Sequence, residues 1–218
     1  MPWIRSGINR FLPSPLWQPD PPLARTVASL RDDEIVVDLG AGGRRIAPQV
    51  LAVDFIAFPN TSVVADVHAL PFADGSIETV ICTGTLEHVA DPGQVLRETY
   101  RVLRPNGIVH LEVPFVQPYH PDPVDYWRWT LEGLRLFATR HGFGEVRSGS
   151  HLGPASALNA ILVAYARSYF RNRVLKKGAE IAVTLVVFLH KYVDRFLLRR
   201  PVEMPSAVYF VGTKEPRH

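Results

Sequence analysis

In this 218-residue chain, the side chains best suited to chemistry are three strand-end aspartates and a histidine-bearing loop downstream of them. Asp38, Asp54 and Asp66 each close a short apolar run, and Gly40 and Gly42 follow the first of them in Ile35–Gly43, IVVDLGAGG. Glycine there lets backbone turn sharply and approach a ligand with no Cβ in the way. An acidic residue about fifteen to twenty positions beyond such a turn can accept hydrogen bonds from both hydroxyls of a ribose. Asp54, in LAVDF, is placed for that role. Further on, Pro114–Trp129 gathers His120, Asp122, Asp125, Tyr126 and Arg128 on proline-stiffened backbone. Imidazole exchanges its proton near neutral pH, which makes His120 the first candidate base and His88, in Leu86-Glu87-His88, the second. Two blander roles stay open beside these. His88 could be a helix-end histidine bonded to nearby backbone, and Asp125 with Arg128 could be an ion pair that pins the loop.

The elements that must position these groups are short and repetitive. Ile35–Leu39, Val50–Asp54, Ser62–Asp66, Thr79–Thr83 and Ile108–Val113 are apolar runs closed by polar residues or glycine, and they read as buried parallel strands. Between the later ones, Asp91–Leu103 has Asp91 as N-cap, Pro92 at the first helical position and Arg104-Pro105-Asn106-Gly107 as a closing turn. Thr130–His141 is a second capped helix. Strands alternating with helices predict a doubly wound α/β sheet of about seven strands. In such sheets the ligand lies beyond the carboxyl ends of the strands, where the glycine turn falls. A sixth strand is expected near Glu145–Ser150 and the last at Ala207–Thr213.

Hydrophobic residues make up 47% of the chain, enough for a core. A single cysteine, Cys82, excludes an internal disulfide framework and fits a cytoplasmic, reducing compartment. The N-terminal stretch lacks the continuous apolar core of a secretory signal. Its six prolines, from Pro2 to Pro22, set among Trp3, Phe11 and Trp17, predict an irregular arm over residues 1–30 with a short helix near Leu23–Leu30. Residues 31–218 then form the domain proper. No lysine-containing phosphate loop is present, which excludes a nucleoside triphosphatase.

The stretch from Ile35 to Gly144 resembles the class I S-adenosylmethionine-dependent methyltransferases, in the small-molecule, type 11-like group. VVDLGAGG is similar to the family's first motif and VLAVDF to its second-strand motif. VVADVHALPFADGSIETVICTGTLEHVADP is similar to the run from adenine contact through strand four, and ETYRVLRPNGIVHLEVP to the helix and fifth strand. A nicotinamide-dependent oxidoreductase, the natural competitor, fits ADVHALPF and LEHVADP less well. The resemblance implies S-adenosyl-L-methionine as cofactor. Asp38, Gly40, Ala41 and Gly42 would line its methionine portion, Asp54 would hold the ribose, and Phe55 would lie beside the adenine. Asp66 would accept from the adenine amino group, with Val67 and His68 flanking the ring, and Thr83 and Leu86 would face cofactor and substrate. No residue is assigned to a metal.

One departure is local. The family often has a third glycine where this chain has Arg44, and the short linker Arg45–Gln49 implies a stub in place of the first helix. Arg44 or Arg45 could pair with the cofactor carboxylate or stay as solvated loop charges. The loop after strand five is similar to a P-Y-H-P-x-P-x-D-Y-x-R segment of methyltransferase-like proteins, many from bacterial surface-polysaccharide gene clusters. Together these imply methyl transfer to a small-molecule or glycan-related acceptor, at oxygen, with His120, His88, Asp125, Tyr126 and Arg128 as the catalytic set. The alternative is a catalytically silent domain of the same fold that serves as a binding or assembly partner.

Charge is segregated. Arg167–Arg200 holds nine Lys/Arg against two Asp/Glu, in a chain whose net charge is +3. Ala155–Phe170 and Gly178–Arg200 read as two helices inserted before the last strand, the insertion spanning 155–200. Leu158, Ile161, Leu162, Tyr165 and Tyr169 share one face of the first. The second is apolar at its centre but shorter than a membrane span. A lid, a homodimer interface and a membrane-peripheral surface are the three roles such an insertion fits. Nucleic acid ranks below them, for want of any recognisable binding module.

Overall fold

The computed structural model describes residues 21–198 and 202–216. The proline-rich arm expected over residues 1–30 therefore lies outside the described residues up to position 20. Its last part forms helix α1, Pro22–Ala28, with proline at its first turn, where the missing N–H costs nothing.

Seven strands make one sheet: β1 (Val36–Leu39), β2 (Val50–Asp54), β3 (Val63–Val64), β4 (Ile77–Thr83), β5 (Leu103–Pro114), β6 (Phe143–Leu152) and β7 (Ala207–Lys214). Their order is β3-β2-β1-β4-β5-β7-β6. The pairs β1–β2, β1–β4, β2–β3 and β4–β5 are parallel, and β7 runs antiparallel to β5. The order reverses between β1 and β4, which opens the crevice where doubly wound sheets take ligands. β1 is buried along its whole length, as its β-branched run requires of a central strand. No helix separates β1 from β2, so the expected stub is a plain loop.

Helices α2 (Pro92–Val102) and α3 (Leu131–Arg140) start where their caps place them. Asp91 accepts from the Gln94 N–H, and Thr130 from the Gly133 N–H. Val95, Leu96, Leu134 and Ala138 pack into the main core with Val37, Leu39, Val80, Leu111 and Phe210. The turn expected at Arg104–Gly107 is instead a bulge. β5 already begins at Leu103, Asn106 takes a left-handed φ of 62°, and the β4–β5 register shifts beyond Ile77. Pairing of Leu103 with Ile77 on one side, and of Ile108 onward with β4 and β7 on the other, brackets the sequence that locally signals a turn.

Cys82 is the penultimate residue of β4 and is 1% exposed, and burial pushes its thiol up to about 12. Native protein is therefore expected to leave a thiol-reactive dye unreacted. Labelling faster than global unfolding would reveal local opening of the sheet centre.

Residues 152–206, with 116–118, form a compact unit of their own, separate from residues 21–115, 119–151 and 207–216. It holds α4 (Pro154–Ser168), α5 (Arg173–Val187) and α6 (Asp194–Leu197). The second helix expected at Gly178–Arg200 differs in both bounds. Asn172 caps it four residues after α4 ends at Ser168, by accepting from the Val174 and Leu175 N–H groups, so Gly178 falls inside α5. It stops at Val187, and a 3-10 turn, His190–Val193, leads to Asp194, which accepts from the Ala155 and Ser156 N–H groups at the start of α4. Arg199 and Arg200 lie outside the described residues. Helices α4 and α5 meet on small and polar side chains, with the Asn159 amide donating to the Val187 carbonyl at 3.2 Å. The large apolar face of α4, including Leu158, Ile161, Leu162, Tyr165 and Tyr169, is left exposed, as are Leu185, Val186 and Leu189. Among the described residues no helix is long and apolar enough to cross a membrane.

Candidate functional site

The turn after β1 is built from three consecutive demands on the backbone. Gly40 sits at φ 66°, and both its N–H and that of Ala41 donate to the Val53 carbonyl, tying the turn to β2. A Cβ on Gly40 would lie 2.3 Å from the Thr85 hydroxyl oxygen. Thr85, just beyond β4, donates that hydroxyl to the Leu39 carbonyl, so the turns after β1 and β4 interlock. Gly42, at φ 59°, donates its N–H to Asp54 Oδ2 at 2.7 Å. The direction in which its side chain would point is open, with nothing within 4 Å.

Asp54 is buried, and its other oxygen accepts from the Ile56 N–H at 2.9 Å. Each oxygen keeps lone-pair capacity beyond the backbone bond it accepts. Phe55 beside it is 61% exposed. Asp66, an exposed carboxylate, accepts from the His68 N–H and lies 2.7 Å from His68 Nδ1. These contacts, the backbone bond foremost, hold its pKa below the usual range. Val67 is buried beneath that turn.

Arg44 does something neither expectation covered. Its Nε and Nη2 donate to Asp38 Oδ2 and Oδ1 at 3.0 and 2.9 Å, a bidentate pair, and Nη2 also donates to the carbonyl and hydroxyl of Thr83. The guanidinium therefore bridges the ends of β1 and β4. Burial pushes the Asp38 carboxyl up despite Arg44, whose hydrogen bonds and charge pull the other way. Arg45 donates to the Pro48 carbonyl at 2.6 Å. Leu86, expected to face a ligand, is fully buried in the main core.

The long loop after β5 returns to the turn that follows β4. Tyr126 and Trp127 donate their N–H groups to the Glu87 carbonyl at 2.7 and 3.3 Å, and the Trp127 indole donates to the Val89 carbonyl at 2.9 Å. This brings His120 beside His88, ring centroids 5.3 Å apart and edge to face. His88 Nδ1 bonds to the Val124 carbonyl, which leaves its Nε2 to act as acceptor. Asp125 and Arg128 do form an ion pair, with both guanidinium nitrogens on the carboxylate, and Asp125 also accepts from the His120 N–H at 2.8 Å. The Arg128 hydrogen bonds foremost hold the Asp125 carboxyl well below its usual range. Asp122 and Tyr126 line the same loop, Tyr126 half exposed.

Sequence reasoning missed two contributors. Glu87 is 3% exposed, with Oε1 lying 3.8 Å from His120 Nε2 and 3.9 Å from His88 Nε2. Its signal was a charged residue between Leu86, expected to face the ligand, and His88, a candidate base. Thr85 gave no signal, since its role depends on how closely β1 and β4 approach.

A family model described as a methyltransferase domain matches residues 25–111. An uncharacterized methyltransferase-like protein of Schizosaccharomyces pombe is 28% identical over 150 residues, covering 53% of this chain and 56% of that protein. The matches span 13–56% of the length of the first three curated relatives. Among solved structures, Haemonchus contortus phosphoethanolamine N-methyltransferase 2, in complex with S-adenosyl-L-methionine, superposes with a TM-score of 0.54. It is 16% identical, covering 88% of this chain and 51% of that one. The [4+2]-cyclase SpnF superposes with a TM-score of 0.57 at 15% identity, covering 89% and 80%. Likeness at this identity shows the fold, and the cyclase is a reminder that one fold carries more than one reaction.

Proposed function

We propose that this chain is a class I S-adenosylmethionine-dependent methyltransferase that transfers the sulfonium methyl group to an oxygen of a small-molecule or glycan-related acceptor. One arrangement carries this reading. The open space over Gly42, backed by Asp54, and the His88–His120 pair stand at the same carboxyl edge of the sheet. In the proposed complex the glycine turn takes the methionine portion, Asp54 the ribose hydroxyls, and Phe55, Asp66, Val67 and His68 the adenine. The acceptor oxygen attacks the methyl carbon in line as the carbon–sulfur bond breaks, which leaves a neutral thioether. The acceptor proton leaves through the Glu87–His88–His120 cluster. Positioning supplies much of the rate in such a displacement, and proton removal about 10²–10⁴-fold of it.

The test is calorimetric titration with S-adenosylmethionine and S-adenosylhomocysteine, followed by an acceptor screen that starts with sugars. Micromolar binding, weakened by Asp54→Ala, is expected. His120→Ala is expected to keep that binding and lower turnover about 10²-fold or more. Unchanged turnover on a true substrate would remove His120 from the reaction. Failure of folded protein to bind either compound would favour the second reading, a silent domain of this fold. The observation behind that reading is Arg44, which bridges Asp38 and Thr83 where relatives often carry glycine.

A further inference from the structure

We infer that Glu87, His88 and His120 form a binding site for one divalent transition-metal ion, a reading that deepens the proposed transfer: the ion acidifies the acceptor hydroxyl, whose proton then passes to solvent, and the two rings serve as ligands in place of bases. The three side chains bring one carboxylate oxygen and two imidazole nitrogens to within 4.8 Å of one another. The separations of 3.8 and 3.9 Å between Glu87 Oε1 and the two Nε2 atoms are too long for hydrogen bonds. Metal–ligand distances of about 2.0–2.2 Å set tetrahedral ligands about 3.4 Å apart, so the three side chains would close in by about half an ångström on a shared ion.

The second observation is independent of these distances. Glu87 Oε2 is buried and has no hydrogen-bond partner among the described residues. A carboxylate left so is costly to bury, and an ion held by both of its oxygens would satisfy it. The surroundings hold the His88 ring as a ligand, since it commits Nδ1 to the Val124 carbonyl and so presents the Nε2 lone pair. His120 Nδ1 lies 3.3 Å from Arg128 Nη2, which can only donate, and 3.5 Å from Asp125 Oδ2. Ligation through His120 Nε2 therefore requires the ring to exchange the Arg128 bond for an Nδ1 proton turned to Asp125. A ligating histidine whose other nitrogen bonds a carbonyl or a carboxylate is the usual supporting arrangement. Two imidazoles and one carboxylate favour zinc, manganese or iron over magnesium or calcium, and they leave coordination positions for an acceptor hydroxyl.

The experiment is calorimetric titration of the chelator-treated full chain with zinc chloride, repeated with manganese and magnesium chlorides. One equivalent of zinc is expected to bind at micromolar affinity or better, with magnesium far weaker. His120→Ala, on a partly exposed side chain that folding does not need, is expected to weaken zinc binding tenfold or more, as are His88→Ala and Glu87→Gln. His141→Ala, outside the cluster, is expected to leave it unchanged. Absence of stoichiometric binding, or binding that His120→Ala leaves intact, overturns the site. S-adenosylmethionine is titrated into the same preparations. Cofactor binding without zinc removes the site and leaves the transfer reading standing, whereas zinc without cofactor does the reverse.

Discussion

Gly40→Ala is expected to destabilise the domain by about 2–5 kcal/mol and to abolish cofactor binding with it. A left-handed conformation costs an alanine about 1–2 kcal/mol, and overpacking a closed site costs about 1–3 kcal/mol more. Both apply, because the new methyl group would lie 2.3 Å from the Thr85 hydroxyl oxygen and 3.0 Å from its Cβ, at φ 66°. Adding Thr85→Ala is expected to recover part of the packing cost and none of the conformational cost, which a double-mutant cycle in urea would resolve. Gly42→Ala makes the contrast. Its methyl group would enter open space, so about 1–2 kcal/mol of conformational cost is expected, yet it would occupy the volume proposed for the cofactor. One glycine holds the turn together and the other leaves it accessible. A loss below about 0.5 kcal/mol for Gly40→Ala would mean the two turns separate freely, contrary to their interlocking.

Arg44→Ala is expected to cost about 2 kcal/mol at pH 7.5 and distinctly less at pH 5. Removing one partner of a buried pair leaves a charge without compensation, at about 3–5 kcal/mol when both are buried. The Arg44 side chain is 41% exposed, so solvent discounts the figure. The direction with pH follows from Asp38. Burial already raises its folded pKa above the unfolded value, so the folded state holds this proton more firmly. The resulting advantage is present in full below the unfolded pKa, about 4, and is lost as pH rises through the folded one. Without Arg44 the folded pKa rises further, and the penalty accumulates over a wider range above pH 4. Urea unfolding at the two pH values measures it. A penalty independent of pH would mean that Arg44 acts through its packing and its contacts to Thr83 alone.

The sheet was legible because parallel strands buried on both faces leave a plain trace. Val50–Asp54 was bounded correctly from its apolar run alone, and the caps Asp91 and Thr130 announced their helices locally. What escaped reading depends on residues far apart. The expected long helix is divided at Val187, and beyond it Asp194 bonds to the start of α4, 38 and 39 residues earlier in the chain. Arg44 looks like a solvated loop charge until β4 brings Thr83 beside it. Of the candidate site, the glycine turn and the two histidines stood out by type. Glu87 did not, since a carboxylate in an apolar run becomes informative only once its neighbours are known to be imidazoles.

The helical unit also leaves and re-enters the chain at one place. Ser206 donates its N–H to the Leu152 carbonyl at 2.7 Å, and β6 and β7, which flank the unit, are neighbours in the sheet. Topologically the unit is an enlarged hairpin loop, so a tight turn could replace it without rethreading a strand. Helices of other lengths and charges could be exchanged at that junction by recombination while the sheet and its strand-end turns are inherited unchanged. The basic character of the unit can thus evolve as a cassette, on a schedule separate from that of the sheet's carboxyl edge.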